Sequence, residues 1–447
     1  MRISLLHSLI ITVTAGATIG DDAAAATFNV TNYSDAIPAP PGSFRAALEA
    51  ASVAPLNGFT WHTIDFVAPD PGTILPVAPF LANNSIRVFG RNKVTFDSST
   101  AASDAVDGLT LFEVMPSAKF RIEQSILTGG SYQRGIHVGP NGYLDASGIT
   151  VKNFAFPEDH EPGVGGNVLC DYEDPPLGYT KSTTCLFTNS SIINGTASYG
   201  GGIAGIGAVT ISIFNSDVSH NMAWAEGGGV FTGGYGSGNT FANSLTLKNS
   251  SMYDNASWAG GGAVSTLGVP IVYVINTTLS TNLSYSVGAA TLDIDDADDL
   301  RIIHSTITDG STDVSGPGQG AELALYGSNG YVANSVLGRT GAAAGQVCLL
   351  GAGNTVSFGT GNKIQDASCG TAATADLGLL GLSTSACTSP PAGLTGCRVH
   401  ALTSTSPARN TASNTYCSIG HGTTADQRWY RRLGACDAGS YEYGGTP

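Results

Sequence analysis

The sequence predicts an all-β protein, a right-handed parallel β-helix in which each coil of short strands lies on the one before it. A four-residue element, mostly Asn followed by Ser or Thr and ending in an apolar residue, recurs between 189 and 337 at intervals of 26 to 34 residues. Such a period indicates a solenoid or a propeller, and a propeller blade needs about 40 to 45 residues. Glycine occupies 59 of 447 positions and charged residues only 12%, a composition that disfavours long helices.

The recurring element begins at one equivalent polar position in each coil. Strands of neighbouring coils lie about 4.8 Å apart, so identical amides are expected to stack into a hydrogen-bonded ladder. This interpretation gives His304, in the same slot, a structural rather than a catalytic role. A second Asn three residues after the element, together with glycine clusters, marks further sharp corners. The ladder positions are Gln124, Asn189, Asn215, Asn249, Asn276, His304 and Asn334, with Asn221, Asn255 and Asn282 in the second series.

Both open ends of a solenoid need covers. Near the start, Ser43 can cap a short amphipathic helix in which Phe44, Ala47, Leu48 and Ala51 recur at i, i+3, i+4 and i+7. After about residue 370 the repeat is lost and four cysteines follow, which predicts a disulfide-bearing C-terminal cap. The predicted organisation is a signal peptide at 1–26, a β-helix with its N-terminal cap at 27–370, and the C-terminal cap at 371–447.

The N-terminus predicts export. Arg2 precedes a mainly apolar stretch from Leu5 to Ala17, and the alanines from Ala23 to Ala26 offer small residues for a cleavage site. No later stretch approaches the ~20 apolar residues of a membrane span. The formal net charge is −15, so no basic stripe is available for a nucleic acid. We therefore expect a secreted protein, located at the cell surface, in the extracellular space or in the periplasm.

Eight cysteines agree with an oxidising compartment. Because no Cys-x-x-Cys occurs, a zinc site is disfavoured. The sequence leaves many connectivities open, and pairing of sequence neighbours is the interpretation that suits an elongated fold. The neighbouring cysteines are Cys170 and Cys185, Cys348 and Cys369, Cys387 and Cys397, and Cys417 and Cys436.

Motifs near both ends resemble those of a group of bacterial surface β-helix proteins. The segment Gly42–Leu48, followed by Thr63–Phe66 and Gly72–Leu75, is similar to their CSLREA-type N-terminal region. Asp426–Arg428 and Cys436–Glu442 resemble parts of their choice-of-anchor Q domain. The repeats are similar to those of polymorphic outer-membrane proteins. The resemblance implies export and surface display of a β-helix, and it implies no particular reaction.

Three aromatic residues occupy equivalent places in successive coils. Trp224, Trp258 and Tyr285 each follow the second Asn of their coil by three residues. Stacked coils would place them in one column on an outer corner, where aromatic faces suit the apolar faces of sugars. The alternative is a ladder of rings that only stabilises the corner.

An acidic segment is the second candidate site. Asp293 and Asp295 alternate with apolar residues and are expected to point outward from one strand, and Glu322 comes about one coil later. Carboxyl groups on neighbouring coils would lie about 5 Å apart, as in a retaining glycoside hydrolase. Asp293, Asp295 and Asp296 could equally hold Ca²⁺, which takes oxygen ligands. A solvated acidic loop is the third interpretation.

A polysaccharide lyase is the other enzymatic option on this fold. A lyase needs a base that removes the proton next to a carboxylate of the substrate. It also needs a cation that neutralises that carboxylate. Arg134, His137 and Lys152 lie near one another in the early coils and are the candidates, although ordinary surface positions also explain them.

The sequence thus favours a secreted or surface-displayed β-helix protein that binds glycans or a partner through its lateral face. The alternative is a polysaccharide-degrading enzyme, either a polysaccharide lyase or a glycoside hydrolase. The two differ in which surface carries function: the aromatic column in the first, the carboxylates or the early basic group in the second.

Overall fold

The structure, a computed structural model, confirms the parallel β-helix with an N-terminal helix. In the part of the chain that it describes there are one helix and 38 strands, and every strand pairing is parallel except that of the last two strands. The described residues are 25–55, 60–101, 109–156, 163–171, 182–233, 243–285, 289–312, 321–340, 346–384, 397–417, 424–432 and 434–445. The predicted signal peptide lies outside them except at its last two positions.

The helix and strands are numbered in chain order. The helix α1 is Phe44–Val53. The strands of the first half are β1 (Thr27–Val30), β2 (His62–Phe66), β3 (Gly72–Ile74), β4 (Phe80–Ala82), β5 (Ser85–Asp97), β6 (Leu109–Val114), β7 (Lys119–Thr128), β8 (Gln133–Val138), β9 (Tyr143–Ser147), β10 (Thr150–Lys152), β11 (Val168–Asp171), β12 (Thr183–Thr188), β13 (Ser191–Ile193), β14 (Thr196–Ala197), β15 (Ile203–Ile206), β16 (Val209–Phe214), β17 (Asp217–Ser219), β18 (Met222–Ala223) and β19 (Val230–Gly233). Those of the second half are β20 (Ser244–Lys248), β21 (Ser251–Tyr253), β22 (Ala256–Ser257), β23 (Val264–Leu267), β24 (Ile271–Ile275), β25 (Thr278–Ser280), β26 (Leu283–Ser284), β27 (Ala289–Asp295), β28 (Asp299–Ile303), β29 (Thr306–Thr308), β30 (Ser311–Thr312), β31 (Ala321–Tyr326), β32 (Asn329–Ala333), β33 (Val336–Gly338), β34 (Cys348–Leu350), β35 (Thr355–Phe358), β36 (Lys363–Ile364), β37 (Leu379–Ser383) and β38 (Val399–Leu402).

The strands of successive coils stack into four files, which we call faces 1 to 4. Face 1 runs through β1, β2, β5, β7, β9, β12, β16, β20, β24, β28, β32 and β35. Face 2 runs through β3, β5, β7, β10, β13, β17, β21, β25, β29, β33 and β36, sharing the long strands β5 and β7 with face 1. Face 3 contains β14, β18, β22, β26 and β30, and face 4 contains β4, β6, β8, β11, β15, β19, β23, β27, β31 and β34.

The interior is one continuous apolar column. Each strand alternates side chains between the interior and the surface, so one residue per two points inward. On face 2 the inward file is fully buried, while polar Ser and Thr residues flank it. The inward residues of this file are Val218, Met252, Leu279, Ile307 and Leu337.

The corner between faces 1 and 2 carries the predicted amide ladder, which we call the outer Asn ladder. Nδ2 of Asn249 donates to Oδ1 of Asn215 at 3.2 Å, and Nδ2 of Asn276 donates to Oδ1 of Asn249 at 2.9 Å. Nε2 of His304 accepts from Nδ2 of Asn334 at 3.1 Å. These five residues have φ between 49° and 56°, the left-handed conformation that Asn tolerates best among non-glycine residues. The structural role predicted for His304 agrees with this placement.

The second Asn series forms an inner Asn ladder at the corner between faces 2 and 3. Nδ2 of Asn221 donates to Oδ1 of Asn255 at 3.0 Å, and Nδ2 of Asn255 donates to Oδ1 of Asn282 at 3.1 Å. Asn167 extends the ladder at its upstream end, with Nδ2 at 3.1 Å from Oδ1 of Asn221. All four side chains are buried, so these bonds satisfy polar groups that water cannot reach.

The predicted N-terminal helix closes the first coil. Ser43 is its N-cap, and Oγ of Ser43 accepts from the backbone N–H of Ala46 at 3.2 Å. The ring of Phe44 packs edge-on against Phe80 and Phe96, each with its centroid 4.9 Å away. Among the described residues no helix is long and apolar enough to cross a bilayer.

Disulfides join sequence neighbours, as predicted. The structure contains the pairs Cys170–Cys185, Cys348–Cys369 and Cys417–Cys436. Of the fourth predicted pair, Cys397 is disulfide-bonded and Cys387 lies outside the described residues.

The C-terminal segment bears one of these disulfides and lies along face 2 as well as near the last coils. Oε1 of Gln427 accepts from Oγ1 of Thr278 at 2.6 Å, and the backbone N–H of Ser440 donates to Oγ1 of Thr306 at 3.1 Å. Nη2 of Arg432 donates to Oδ1 of Asn276 at 2.8 Å and so ends one run of the outer Asn ladder. The segment therefore covers the polar flank of several coils on face 2, whereas the aromatic residues and the acidic strand β27 belong to faces 3 and 4.

Candidate functional site

The three predicted aromatic residues form one column, as expected. The ring centroids of Trp224 and Trp258 are 5.9 Å apart with planes at 27°, and those of Trp258 and Tyr285 are 5.4 Å apart at 36°. Despite this mutual packing, Trp224 is 42% exposed and Trp258 is 49% exposed. The column is thus a continuous aromatic surface, two of whose rings remain about half open to solvent.

Face 3 positions the column. Its strands are only two residues long, and each aromatic residue follows directly after one of them. Register is kept by backbone bonds, since the N–H of Trp258 donates to the carbonyl of Ala223 and the N–H of Tyr285 donates to that of Ser257. A sharp glycine corner then turns the chain to face 4. At Gly227, φ is 67° and an added Cβ would lie 2.4 Å from a backbone oxygen, so only glycine fits there.

A pair of carboxylates lies across that corner from the column. Glu226 follows Trp224 by two residues and forms a backbone bridge with Gly260 of the next coil. Oε2 of Glu226 accepts from Oγ of Ser265 at 3.0 Å. Asp293 is the register partner of Ser265 one coil further on, and its Oδ2 lies where a Cβ of Gly260 would be. Glu226 and Asp293 therefore converge on one small patch, which we call the carboxylate pair.

The electrostatics of the pair are those of crowded negative charge. Burial, and then the negative charges of Glu226 and Asp295, raise the pKa of Asp293 to about 7. Burial and the neighbouring carboxylates Asp296 and Glu226 also raise the pKa of Asp295. A carboxyl group held protonated near neutral pH can give a proton or accept a hydrogen bond from a ligand.

No basic side chain lies on the strands that surround the column and the pair. The described strands of face 3 and of face 4 from β15 to β31 contain neither Lys nor Arg. Between residues 182 and 338 the only Lys or Arg residues of the sequence are Lys248 and Arg301, and both belong to face 1. The lateral surface with the column is therefore negative and carries no compensating cation on its strands.

Among the described residues, the structure does not gather the three carboxylates that the sequence offered as calcium ligands. Asp293 and Asp295 both point outward from β27, as expected, whereas Asp296 lies after the strand, at the turn to face 1. Their ligand oxygens do not gather within 4.8 Å of one another in the part of the chain described here, as a three-carboxylate site would require. The turn at Asp296, with φ of 55°, carries its side chain toward Gly327 instead.

Glu322 does not join the acidic surface, which corrects the expectation that it faces Asp293 or Asp295 across one coil. In register, Asp293 lies beside Ala324, and Asp295 lies beside Tyr326. Glu322 stands earlier in the strand and is only 1% exposed. A bulge in the pairing of β27 with β31 shifts the register here, so a count of residues from the previous coil misplaces it.

The buried carboxylate of Glu322 has a structural role. It accepts from Oγ1 of Thr291 at 2.9 Å and from the backbone N–H of Gly310 at 3.0 Å. Gly310 stands one coil after Asn282, at the position where the next amide of the inner Asn ladder would be. An added Cβ at Gly310 would lie 2.6 Å from Glu322 Oε2, so the carboxylate fills the space left by the missing side chain. Burial raises its pKa to about 8.

The early basic group is also rearranged. His137 lies on face 4, where Nδ1 is 2.8 Å from Glu113 Oε2 and Nε2 is 3.5 Å from Asp171 Oδ2. Burial opposes the charged ring, but the bonds to Asp171 and Glu113 outweigh it and raise the pKa of His137. The two neighbouring carboxylates thus stabilise the charged form of the ring.

Arg134 and Lys152 do not complete a lyase site. The guanidinium of Arg134 donates to the carbonyls of Gly165 at 3.1 Å and Val164 at 2.8 Å, and it lies 4.2 Å from the centroid of the Phe156 ring. Burial lowers its pKa to about 10. Lys152 lies on face 2, whereas Arg134 and His137 lie on face 4, so the structure does not bring the three together.

Sequence reasoning missed Glu226 and Ser265. The signal for Glu226 was present, because it stands between the aromatic position and the glycine cluster, where the next coil has Gly260. Recognising it required knowing that the chain turns within those three residues. Ser265 gave no signal, since Ser is common throughout the repeats.

Comparison with known proteins gives little beyond this geometry. No family model matches the chain, and no curated protein matches it. Among solved structures it is similar to the crystal structure of pectate lyase Pel9A, with 14% identity and a TM-score of 0.43 over 94% of this chain and 98% of that chain. No residue of the site is inferred from this similarity.

Proposed function

We propose that this protein binds polysaccharides on its lateral surface, with the aromatic column as the platform. The observation that carries the proposal is the column itself: three rings from successive coils, in contact, with two of them about half exposed. Stacking of the rings on one another stabilises the corner by about 0.5–1.5 kcal/mol per pair. That stabilisation does not require tryptophan to stay open to water, whereas the apolar face of a sugar ring needs such a surface.

The repeat also suits a polymer. One coil brings one ring, so the column presents aromatic surface at regular steps along the axis of the β-helix. A linear glycan that lies along the axis can place successive sugar units on successive rings. The affinity then grows with chain length, as in other multivalent contacts.

Removal of two rings tests the proposal. A glycan array identifies ligands of the wild-type protein, and the Trp224→Ala/Trp258→Ala double variant should bind them about tenfold to 100-fold more weakly, because two stacking contacts are lost. Trp429→Ala is the matched control, since Trp429 is 44% exposed and belongs to the C-terminal segment, not to the column. If the double variant binds these glycans as tightly as the wild-type protein does, the aromatic column is not the binding platform.

Glycoside hydrolysis is a second candidate, favoured by the carboxylate pair. A protonated Asp293 can donate to a leaving oxygen, and the Glu226 carboxylate beside it can act as base or nucleophile. Incubation with a polysaccharide panel, reading reducing ends and the ultraviolet absorbance of unsaturated products, separates hydrolysis from lyase activity. Reducing ends that vanish in Asp293→Asn but persist in the exposed control Asp298→Asn would establish the assignment. If no product forms with any polysaccharide of the panel, hydrolysis is contradicted and only the proposed binding function remains.

We also infer that the protein works outside the cytoplasm, secreted or displayed at the cell surface. Its disulfides persist in an oxidising compartment. The resemblance of its ends to CSLREA-type and choice-of-anchor Q regions supports the same location. Fractionation of the native source, with antibody detection of the chain in the culture medium, on the cell surface and in the cytoplasm, tests it, and a purely cytoplasmic signal would contradict it.

A further inference from the structure

The charge around the aromatic column indicates which sugars it takes. We infer that the column selects glycans whose sugar units carry a protonated amine, such as polymers of 2-amino-2-deoxyhexose, over glycans built from uronic acids. The inference rests on the proposed function and names the chemical class of its ligand.

The carboxylates accompany the column coil by coil. Glu226 belongs to the coil of Trp224, and Asp293 belongs to the coil of Tyr285. Gly260 belongs to the coil of Trp258 between them: the backbone of Glu226 forms a bridge with it, and Asp293 Oδ2 lies 2.2 Å from the position that a Cβ of Gly260 would take. A sugar that rests on the column therefore has a negative group within reach to one side.

The negative groups of this surface lack a cationic partner on the same strands. The described strands of face 3 and of face 4 from β15 to β31 hold no Lys or Arg, and the hydrogen bond that Glu226 receives comes from a neutral hydroxyl, Ser265 Oγ. An ammonium group supplied by the ligand would fill this role with a charge-assisted hydrogen bond. A uronate would instead add a negative charge to a surface that already repels its own carboxylates.

Aromatic rings and carboxylates together suit an amino sugar for a second reason. An ammonium group near a tryptophan face gains a cation–π attraction in addition to the ion pair. The apolar face of the same sugar ring stacks on the neighbouring ring of the column. A neutral sugar keeps only the stacking contact, so it should bind more weakly but still measurably.

The test is a set of ligands that differ in one group. Oligosaccharides of β-1,4-linked glucosamine, N-acetylglucosamine and glucose share a backbone and differ only at C2, and oligogalacturonate supplies the acidic comparison. Isothermal titration at mildly acidic pH and low salt should give the glucosamine oligomer about tenfold tighter binding than the glucose oligomer. The preference should shrink as salt is added. Binding of the ammonium group should also release a proton from Asp293, whose pKa is raised to about 7, and titration in buffers of different ionisation heat detects this release.

Two variants assign the preference to named residues. Glu226→Gln/Asp293→Asn should lose the preference for the amine, so that the glucosamine and glucose oligomers bind it with similar affinity, whereas the exposed Asp298→Asn should keep the wild-type preference. A preference that survives the double variant, or oligogalacturonate that binds at least as tightly as the glucosamine oligomer, overturns the inference but leaves the column as a platform. If none of the oligosaccharides binds, the proposed function fails together with it.

Discussion

At the scale of single residues, the corners of the coils explain why Asn dominates the repeat. The outer ladder residues have φ between 49° and 56°, and Asn is among the few residues that accept this conformation while also hydrogen bonding along the stack. His304 replaces it in one coil because Nε2 can accept from Asn334 in the same direction. The sequence pattern predicted the outer Asn ladder correctly, because a polar side chain that can hydrogen bond returns at the same corner of successive coils.

Glu322 shows what the pattern could not predict. Its role depends on Gly310, a residue that removes a side chain from the inner Asn ladder, and on a bulge in β27. Both are local departures from the repeat. The spacing in the sequence shows that the coil is irregular, but it does not show where the displaced residue comes to lie. The same limit applies to the carboxylate pair, which forms only because the chain turns between Glu226 and the next strand.

Replacement of Glu322 by Gln should flatten the dependence of stability on pH. Burial raises the pKa of Glu322 from 4.5 to about 8 in the folded protein. The folded state therefore binds the proton of Glu322 more tightly than the unfolded state does. The contribution of this proton to the free energy of unfolding is fully present below about pH 4.5 and is lost as the pH rises toward 8, by up to about 1.4 kcal/mol per pH unit. Gln keeps the neutral form at every pH. Urea unfolding between mildly acidic and alkaline pH measures the difference.

The exposed Glu49 supplies the control for this experiment. Glu49→Gln should follow the wild-type pH profile. Asp217 and Asp293 have pKa values raised in the same direction, to about 6 and about 7, so the Glu322→Gln profile should be flatter than wild type without being level. A Glu322→Gln profile that coincides with wild type would show that the carboxyl ionises freely in the folded state.

At the scale of elements, the C-terminal segment is a cover for the flank of the coils. The motif residues Asp426, Gln427 and Arg428, which carry the family resemblance, fold together, with Nε of Arg428 2.8 Å from Asp426 Oδ2. Gln427 then bonds to face 2. The motif therefore serves docking of the segment, a role that its spacing in the sequence did not predict.

Arg432 should hold this segment in place. Its guanidinium donates to Asn276 Oδ1 and Gly439 O, both at 2.8 Å, and lies 3.3 Å from Glu442 Oε2. Arg432→Met removes the cation beside a buried carboxylate, at a cost of about 3–5 kcal/mol. Hydrogen exchange followed by mass spectrometry should show faster exchange across 397–445, while the strands of faces 1 and 4 remain protected.

The neighbouring Arg431 is exposed and provides the matched control. Arg431→Met should leave the exchange of the segment at the wild-type level. Equal protection of the segment in Arg432→Met and Arg431→Met would contradict the docking role. Uniform loss of protection over all coils would show that the segment and the β-helix unfold as one unit.

At the scale of the whole molecule, the fold class and the aromatic column follow from one property, the regular return of the chain to the same corner. The helical cap follows instead from the local sequence around its N-cap Ser43. Wherever the return is regular, residues one period apart become neighbours, as Trp224 and Trp258 do. The interpretation that grouped Lys152 with His137 relied on their proximity in the sequence, and the two residues lie on different faces. Periodicity therefore predicts well which residues of successive coils stack on one another. It predicts poorly on which face of a coil a residue lies.

Cross-linking of engineered cysteines tests the register most directly. Ser212 and Thr246 are partners in β16 and β20 on the outward side of face 1, about 4.8 Å apart as parallel neighbours, within the range for a disulfide. Ser212→Cys/Thr246→Cys should form an intramolecular disulfide on mild oxidation, detected by mass spectrometry of the cleaved protein. Ser212→Cys/Lys248→Cys, displaced by two residues, should cross-link far less. Equal cross-linking of the two pairs, or a preference for the displaced one, would contradict the stacking of coils on which the column and the carboxylate pair depend.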